Sequence, residues 1–291
     1  MSNYYSEEII SSWNDLLSFY YCNNGEWRGW VFRGQSDYQW GLSSSLERAF
    51  KDFDIVEDVR LKKEIGLVRR FKRQYHLYSN NVPDPKSYIE WFSIMQHYGC
   101  PTRLLDFTYS FFVALFFSIE KNGFPKGNGI TKKSEASIWA INIKWLEERF
   151  KNKANQSVRK LLDNDPNIKE NDTVQEILNN PQPFILNINP LKFNERLVSQ
   201  QSVFVMPLDL KVPFMDNVRG VSDNLKVSRD NIKKIKIEYT IDFLKDAFYE
   251  LNRMNINRAT LFPGMDGYAN HLRMLIAIDN DDFLVSYLEK Y

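Results

Sequence analysis

The run from Phe111 to Ile119, FFVALFFSI, constrains this chain more than any other segment, because as a helix it is apolar all the way round. Such a helix has no polar face to offer water, so the rest of the protein must enclose it. At nine residues it is also far short of the roughly 20 that a helix needs to cross a bilayer. Ser110 stands where a capping hydroxyl is wanted, and the helix is expected over Phe111 to Lys121, closed by Gly123. A chain of 291 residues with 43% hydrophobic content can build the core this requires.

The flanking patterns predict what surrounds it. From Ser6 to Tyr21, Ile9, Ile10, Trp13, Leu16, Leu17 and Tyr20 recur at helical spacing, ended by Asn23-Asn24-Gly25. Trp30-Val31-Phe32 has strand character and runs into Arg33-Gly34, which places the arginine at a strand end where the backbone leaves the sheet. A short helix can start at Ser43-Ser44-Ser45. A long amphipathic one is expected over Ile55 to Tyr78, with Ile55, Val59, Ile65, Val68, Phe71 and Tyr75 on one face. Asp84-Pro85 suits the start of a helix through Tyr88, Trp91, Phe92 and Met95 that stops at Gly99-Cys100-Pro101.

Ala136 to Ile143 reads as a strand, with Ile138, Ala140 and Asn142 on one face and Trp139 and Ile141 on the other. Further strands are expected at Phe184 to Ile188, Ser202 to Met206 and Ile235 to Tyr239, then helices at Thr240 to Met254 and near Gly264 to Ile276. Strands scattered among helices without a regular repeat indicate an α+β domain with a mixed sheet core and surrounding helices. One domain over 1–291 is expected, its core at about 28–145 and 183–276. An insertion rich in Asn, Lys and Asp, at about 147–182, is expected at the periphery.

The 38 basic and 37 acidic residues nearly cancel, so there is no global attraction to nucleic acid or an anionic membrane, and any such contact needs a local patch. Two separated cysteines, Cys22 and Cys100, give neither a disulfide framework nor metal-ligand spacing, and with three histidines no metal motif appears. The N-terminus does not read as a signal peptide. A cytoplasmic protein with no membrane contact and no metal is expected.

Two motifs can carry chemistry. Arg33 could hold a phosphate or carboxylate bidentately, with Gly34 letting the backbone approach the ligand; it could equally be a surface arginine beside a turn. The run Gln96-His97-Tyr98-Gly99-Cys100-Pro101-Thr102-Arg103-Leu104-Leu105-Asp106-Phe107-Thr108 gathers many polar groups beside the apolar helix. It fits either a ligand site or a clamp in which Arg103 and Asp106 pair to fix the loop. His97 can be a base, a ribose-binding group or a structural histidine. Glu47 and Glu195 are carboxylates in reserve.

Phe32-Arg33-Gly34-Gln35, Ser45-Leu46-Glu47-Arg48, Gln96 to Thr108 followed by Ala114-Leu115-Phe116-Phe117, Arg196 through Phe204, and Phe262-Pro263-Gly264-Met265-Asp266-Gly267 together resemble the FRG domain family. Ser202 stands where that family usually has glycine, and Gly264 replaces its first acid. More distantly, the order of elements resembles ADP-ribosyltransferases of the arginine/serine/glutamate type. Phe32-Arg33-Gly34 is similar to their Tyr-Arg-Gly. Asp106-Phe107-Thr108 leading to Ala114 onward is similar to their Ser-Thr-Ser element, and Gln200-Gln201-Ser202 entering a strand stands where they have Glu-x-Glu.

That likeness implies a mixed-sheet fold, NAD as substrate and a macromolecular acceptor, protein or nucleic acid, in a toxin or phage-defence effector; whether a regulatory partner protein silences it is left open by the sequence. It implies Arg33, Asp106, Thr108 and Gln201 as the catalytic set and Arg33, Gly34, Gln35, His97, Arg103 and Gln200 as nucleotide contacts. Because Ser202 carries no charge, Asp106 becomes the carboxylate expected to stabilise an oxocarbenium-like ribose. The competing expectations are a module that senses a nucleotide without turning it over and an interaction module for a partner protein.

Overall fold

The computed structural model describes residues 3–22, 27–121, 134–153, 181–189 and 195–278. Its strands are β1 (Ser6–Ile10), β2 (Trp30–Gln35), β3 (Leu105–Thr108), β4 (Ser134–Asn142), β5 (Ile185–Ile188), β6 (Ser202–Pro207) and β7 (Ile232–Tyr239). They form one seven-stranded sheet in the order β1-β7-β4-β2-β3-β6-β5. β1 is parallel to β7 and every other neighbouring pair is antiparallel. The sheet is mixed, and the fold is α+β.

Strand alternation sends side chains into two cores. On one face Phe32, Ile138, Ala140, Ile235 and Ile237 meet helix α5 (Phe111–Ile119). On the other, Val31, Trp139 and Ile141 join a second cluster with Phe92 and Met95 of helix α4 (Tyr88–His97). The apolar run is enclosed as expected: Ala114, Leu115 and Ile119 are fully buried, and the Ser110 side chain accepts from the Val113 N–H. Both faces of β4 fill as the alternation predicts. Gly123 and Asn23-Asn24-Gly25 lie outside the described residues.

Several expectations are corrected. The segment Ser6 to Tyr21 is not one helix: Ser6–Ile10 pairs with Ser6 opposite Lys233 and Ile10 opposite Ile237, and helix α1 starts only at Trp13 and ends at Cys22. Ser12 makes the break, its Oγ accepting from the Asp15 N–H at 3.0 Å. Helix α2 (Ser45–Asp52) follows its Ser44 cap, and helix α3 covers Glu57–Tyr75, where Ile65 is 50% exposed and Glu64 takes a buried position beside Val68. Asp84 shapes a turn, accepting from the Lys86 N–H, and α4 begins after Ser87. Helix α6 (Ile143–Lys153) buries Trp145, Leu146 and Phe150, so the start of the expected insertion packs on the core; residues 154–180 lie outside the described residues.

Among the described residues the remaining helices are α7 (Glu195–Ser199), α8 (Phe214–Arg219), α9 (Leu225–Asn231), α10 (Ile241–Arg253), α11 (Arg258–Leu261) and α12 (Met265–Ile278). Among the described residues no helix is long and apolar enough to cross a membrane.

The β1 edge is tied down by Tyr38, whose hydroxyl donates to Glu7 Oε1 at 2.8 Å. Burial, and next that hydrogen bond, push Tyr38 from its ordinary 10.0 up to about 12. A group whose folded pKa is raised contributes stability that is complete below its ordinary value and lost as pH climbs through the raised one. Alkaline titration should therefore destabilise the protein between pH 10 and about 12. The Tyr38→Phe variant should lose less stability over that window when chemical denaturation is repeated at each pH. Lys236, raised by hydrogen bonds to Glu135 and Glu238, acts in the same direction and accounts for part of the residual loss.

Candidate functional site

The sheet is nearly two sheets. β2 and β3 share one registered pair, Phe32 opposite Thr108, and Thr108 in turn faces Ser202. Beyond that pair β2 continues with β4 through Gln35, while β3 stays with β6. The ladder between them is open, and Arg33 fills the opening: its guanidinium donates to the Asp106 carbonyl at 2.6 Å in place of a backbone N–H. Arg33 therefore lies inside a strand, not at its end as the sequence suggested. Its Nε is shut off from solvent with no hydrogen-bond partner. Burial, less the pull of Asp106 and aided by repulsion from Arg48, holds its pKa below the ordinary arginine value.

A cleft of about 900 Å³ opens at this split. β2 and the loop after it contribute Phe32 through Ser36, Trp40, Gly41 and Ser43, and α2 contributes Arg48. β3 supplies Asp106 to Thr108, and the end of α5 supplies Phe117, Glu120 and Lys121. Arg196, Gln200 and Ser202 come from α7 and β6, and Arg258 and Phe262 from α11 and its C-terminal cap. Arg48 donates to the Ser43 carbonyl at 2.5 Å, and Arg258 forms an ion pair with Glu120.

The structure thus brings Arg33, Gly34, Gln35, Asp106, Thr108 and Gln200 to one cleft. Gly34 has a structural reason of its own. A Cβ there would overlap the Ala114 carbonyl oxygen and come within 2.6 Å of the Ser118 nitrogen, so the close approach it permits is that of α5. Gln35 spends both ends of its amide, donating to the Gly41 carbonyl and accepting from the Trp139 indole, which fixes the rim loop. The Thr108 hydroxyl donates to the Gln200 carbonyl at 2.7 Å and accepts from the Ser110 N–H at 3.0 Å. Gln200 is buried with its amide on the Leu261 carbonyl.

Other expected residues go elsewhere. Gln201 is exposed, with φ +48, and lines a separate cleft of about 720 Å³ with Tyr20, Arg28 and Tyr109. His97 is exposed at the end of α4 against the Tyr98 ring. Arg103 is fully buried and pairs with Glu64, not with Asp106, its Nε–Oε1 distance being 2.7 Å; it also donates to the Pro207 and Leu208 carbonyls. Neither His97 nor Arg103 lines the cleft. Glu195 is exposed on α7, and Glu47 binds the Phe214 N–H and Lys51.

Sequence reasoning missed Arg48, Glu120, Lys121, Arg196, Arg258 and Phe262 as site residues. Arg48, Arg196 and Phe262 lie in quoted motifs, so their residue types were a usable signal. For the Glu120–Arg258 pair, 138 positions apart, there was none.

Residues 28–126 match the family model of the FRG domain. No curated protein and no solved structure matches the chain. The FRG match runs from β2 to just past α5 and so includes one wall of the cleft, from Arg33 and Arg48 to Asp106 and Glu120. The facing wall, Arg196 to Phe262, lies beyond the matched FRG span. Among the described residues no group of three or more His, Cys, Asp or Glu side chains is placed to hold a metal ion.

Proposed function

We propose that this FRG-domain chain is an NAD-dependent ADP-ribosyltransferase whose dinucleotide lies in the cleft at the split. One observation carries the proposal: Arg33, Arg48, Lys121, Arg196 and Arg258 converge on one concave site where, among the described residues, only Asp106 and Glu120 oppose them. A cleft of about 900 Å³ lies within the roughly 300–1,000 Å³ of small-molecule sites. Arg33 brings a guanidinium charge to the cleft for a pyrophosphate oxygen, and Arg48 adds a second cation beside it. Thr108 acts through the backbone, holding Gln200 and the start of β6 in place.

In the transfer, the bond between ribose C1′ and the nicotinamide nitrogen breaks, and its electron pair leaves with nicotinamide. The acceptor's nucleophile then bonds to C1′ and loses its proton. Positive charge on the ribose needs a carboxylate. Glu120 is already neutralised by Arg258, whereas Asp106 is exposed in the cleft, so Asp106 takes this role. The acceptor is a protein or nucleic acid, as for a toxin or phage-defence effector. The free thiols of Cys22 and Cys100 suit a reducing cytoplasm.

Incubation with labelled NAD, host lysate and nucleic acid should give labelled product. Arg33→Ala should weaken NAD binding by roughly 10- to 100-fold, the worth of hydrogen bonds to a charged group. Asp106→Asn should keep most of the binding and lose about 100-fold or more in turnover. A folded wild-type protein that neither binds nor cleaves NAD would overturn the proposal. A second reading rests on Ser202, buried and uncharged where a glutamate is expected: a module that binds the nucleotide and returns it unchanged. Binding without turnover would establish it.

A further inference from the structure

Two arginines meet the ring of Phe262. The Arg196 guanidinium carbon is 4.9 Å and that of Arg258 4.6 Å from its ring centroid, and Phe117 meets the same ring edge-on at 6.0 Å. The arrangement is held from behind. The Leu261 carbonyl accepts from Gln200 Nε2 and Ser199 Oγ, and Asn257 and Thr260 cap the short helix that carries Arg258. Such anchoring keeps the two charges from relaxing apart into solvent.

Two guanidiniums on one ring need more negative charge than they have. Glu120 pairs with Arg258, whose Nε stays buried without a partner, and among the described residues Arg196 meets no carboxylate. Like charges held together in a partly enclosed site repel unless an anion joins them. This pair comes from different elements than Arg33 and Arg48: Arg196 from α7 and Arg258 from α11, against Arg33 on β2 and Arg48 on α2. A pyrophosphate held by Arg33 and Arg48 would leave the second pair unanswered.

We infer that Arg196 and Arg258 on Phe262 form a second anion subsite, and that the nucleotide this cleft prefers carries a phosphate monoester in addition to its pyrophosphate. This rests on the cleft being a nucleotide site. Arginine stacked on an aromatic ring keeps its donor edge free, which suits an oxyanion and leaves a neutral hydroxyl undersatisfied.

Calorimetry on the full chain with NAD and with its 2′-phosphorylated form, NADP, tests the inference. NADP should bind about tenfold or more tighter, as expected for added charge-assisted hydrogen bonds. Arg196→Gln, on an exposed side chain, should collapse the ratio of the two affinities towards one. Arg258→Gln should do the same, with circular dichroism checking that loss of its Glu120 partner leaves the fold intact. Equal affinities for NAD and NADP would overturn the second subsite while leaving the nucleotide cleft standing. So would a preference for NADP that survives both substitutions. If neither dinucleotide binds the folded protein, the nucleotide reading itself fails, and this inference with it.

Discussion

Replacing Arg103 by leucine should destabilise the protein by about 3–5 kcal/mol, read as a large fall in the midpoint of urea or thermal unfolding. Arg103 and Glu64 are 0% and 3% exposed at their side chains, so neither can recover hydration when the other is removed. The arginine makes a forked contact with both carboxylate oxygens and also donates to the Pro207 and Leu208 carbonyls, which link the end of β6 to α3. Leucine leaves a buried carboxylate with no cation and two carbonyls with no donor.

The double variant Arg103→Met with Glu64→Leu should recover more than half of the loss, because replacing both members of a buried pair by apolar groups removes the stranded charge. Recovery in the double variant and not in either single one is the signature of the pair. A single Arg103→Leu variant as stable as the parent would mean that the charge is not enclosed. Since Glu64 emerges from the face of α3 that also carries Val68, the ion pair adds to the packing of Val68, Leu61, Leu67 and Phe71 in docking a long, mostly polar helix on the core.

Sequence pattern is most informative where the deciding contacts are local. The all-round apolarity of Phe111–Ile119 means burial wherever that helix lies, and the alternation in β4 and β7 survives because both strands separate two cores. β1 and β3 were not legible for the opposite reason. Ser6–Ile10 becomes a strand only through β7, with Ser6 beside Lys233, and its isoleucines fit a helical face equally well. Leu105–Thr108 alternates too briefly to stand out and is made a strand by β6. Tertiary pairing overrides weak local preference in such short runs.

The same division holds in the cleft. Arg33, Asp106 and Gln200 sit in contiguous motifs, so their residue types marked them. The clamp reading paired Arg103 with Asp106 because they are neighbours in sequence, while Glu64, 39 positions away, is its neighbour in space. The clustering of Arg48, Arg196 and Arg258 depends on how α2, α7 and α11 meet across the split, and no short pattern encodes that. The cationic character of the site is a property of the assembled fold.

Gly34→Ala should cost about 3 kcal/mol or more, at the upper end for overpacking by one methyl group. Gly34 has no positive φ, so alanine meets no conformational penalty there, and stiffening of the unfolded chain would by itself favour the variant slightly. The whole cost comes from contact: the new methyl group would overlap the Ala114 carbonyl oxygen and lie 2.6 Å from the Ser118 nitrogen. These are backbone atoms of α5, so no rotamer change relieves them. Ala114, Leu115 and Ser118 are fully buried, so the helix cannot shift without disturbing a filled core.

The contrasting variant is Gly99→Ala, where φ is +78 and nothing lies within 4 Å of the added carbon; there only backbone strain of roughly 1 kcal/mol is expected. Guanidinium denaturation of the two variants separates contact from conformation. Because Glu120 caps α5 and Lys121 follows it, a displaced helix also moves that wall of the cleft, so any Gly34→Ala protein that folds should show weaker binding of the proposed NAD ligand. Parental stability in Gly34→Ala would show that α5 does not rest on β2. The glycine of Phe32-Arg33-Gly34 would then need a ligand, not a helix, to account for it.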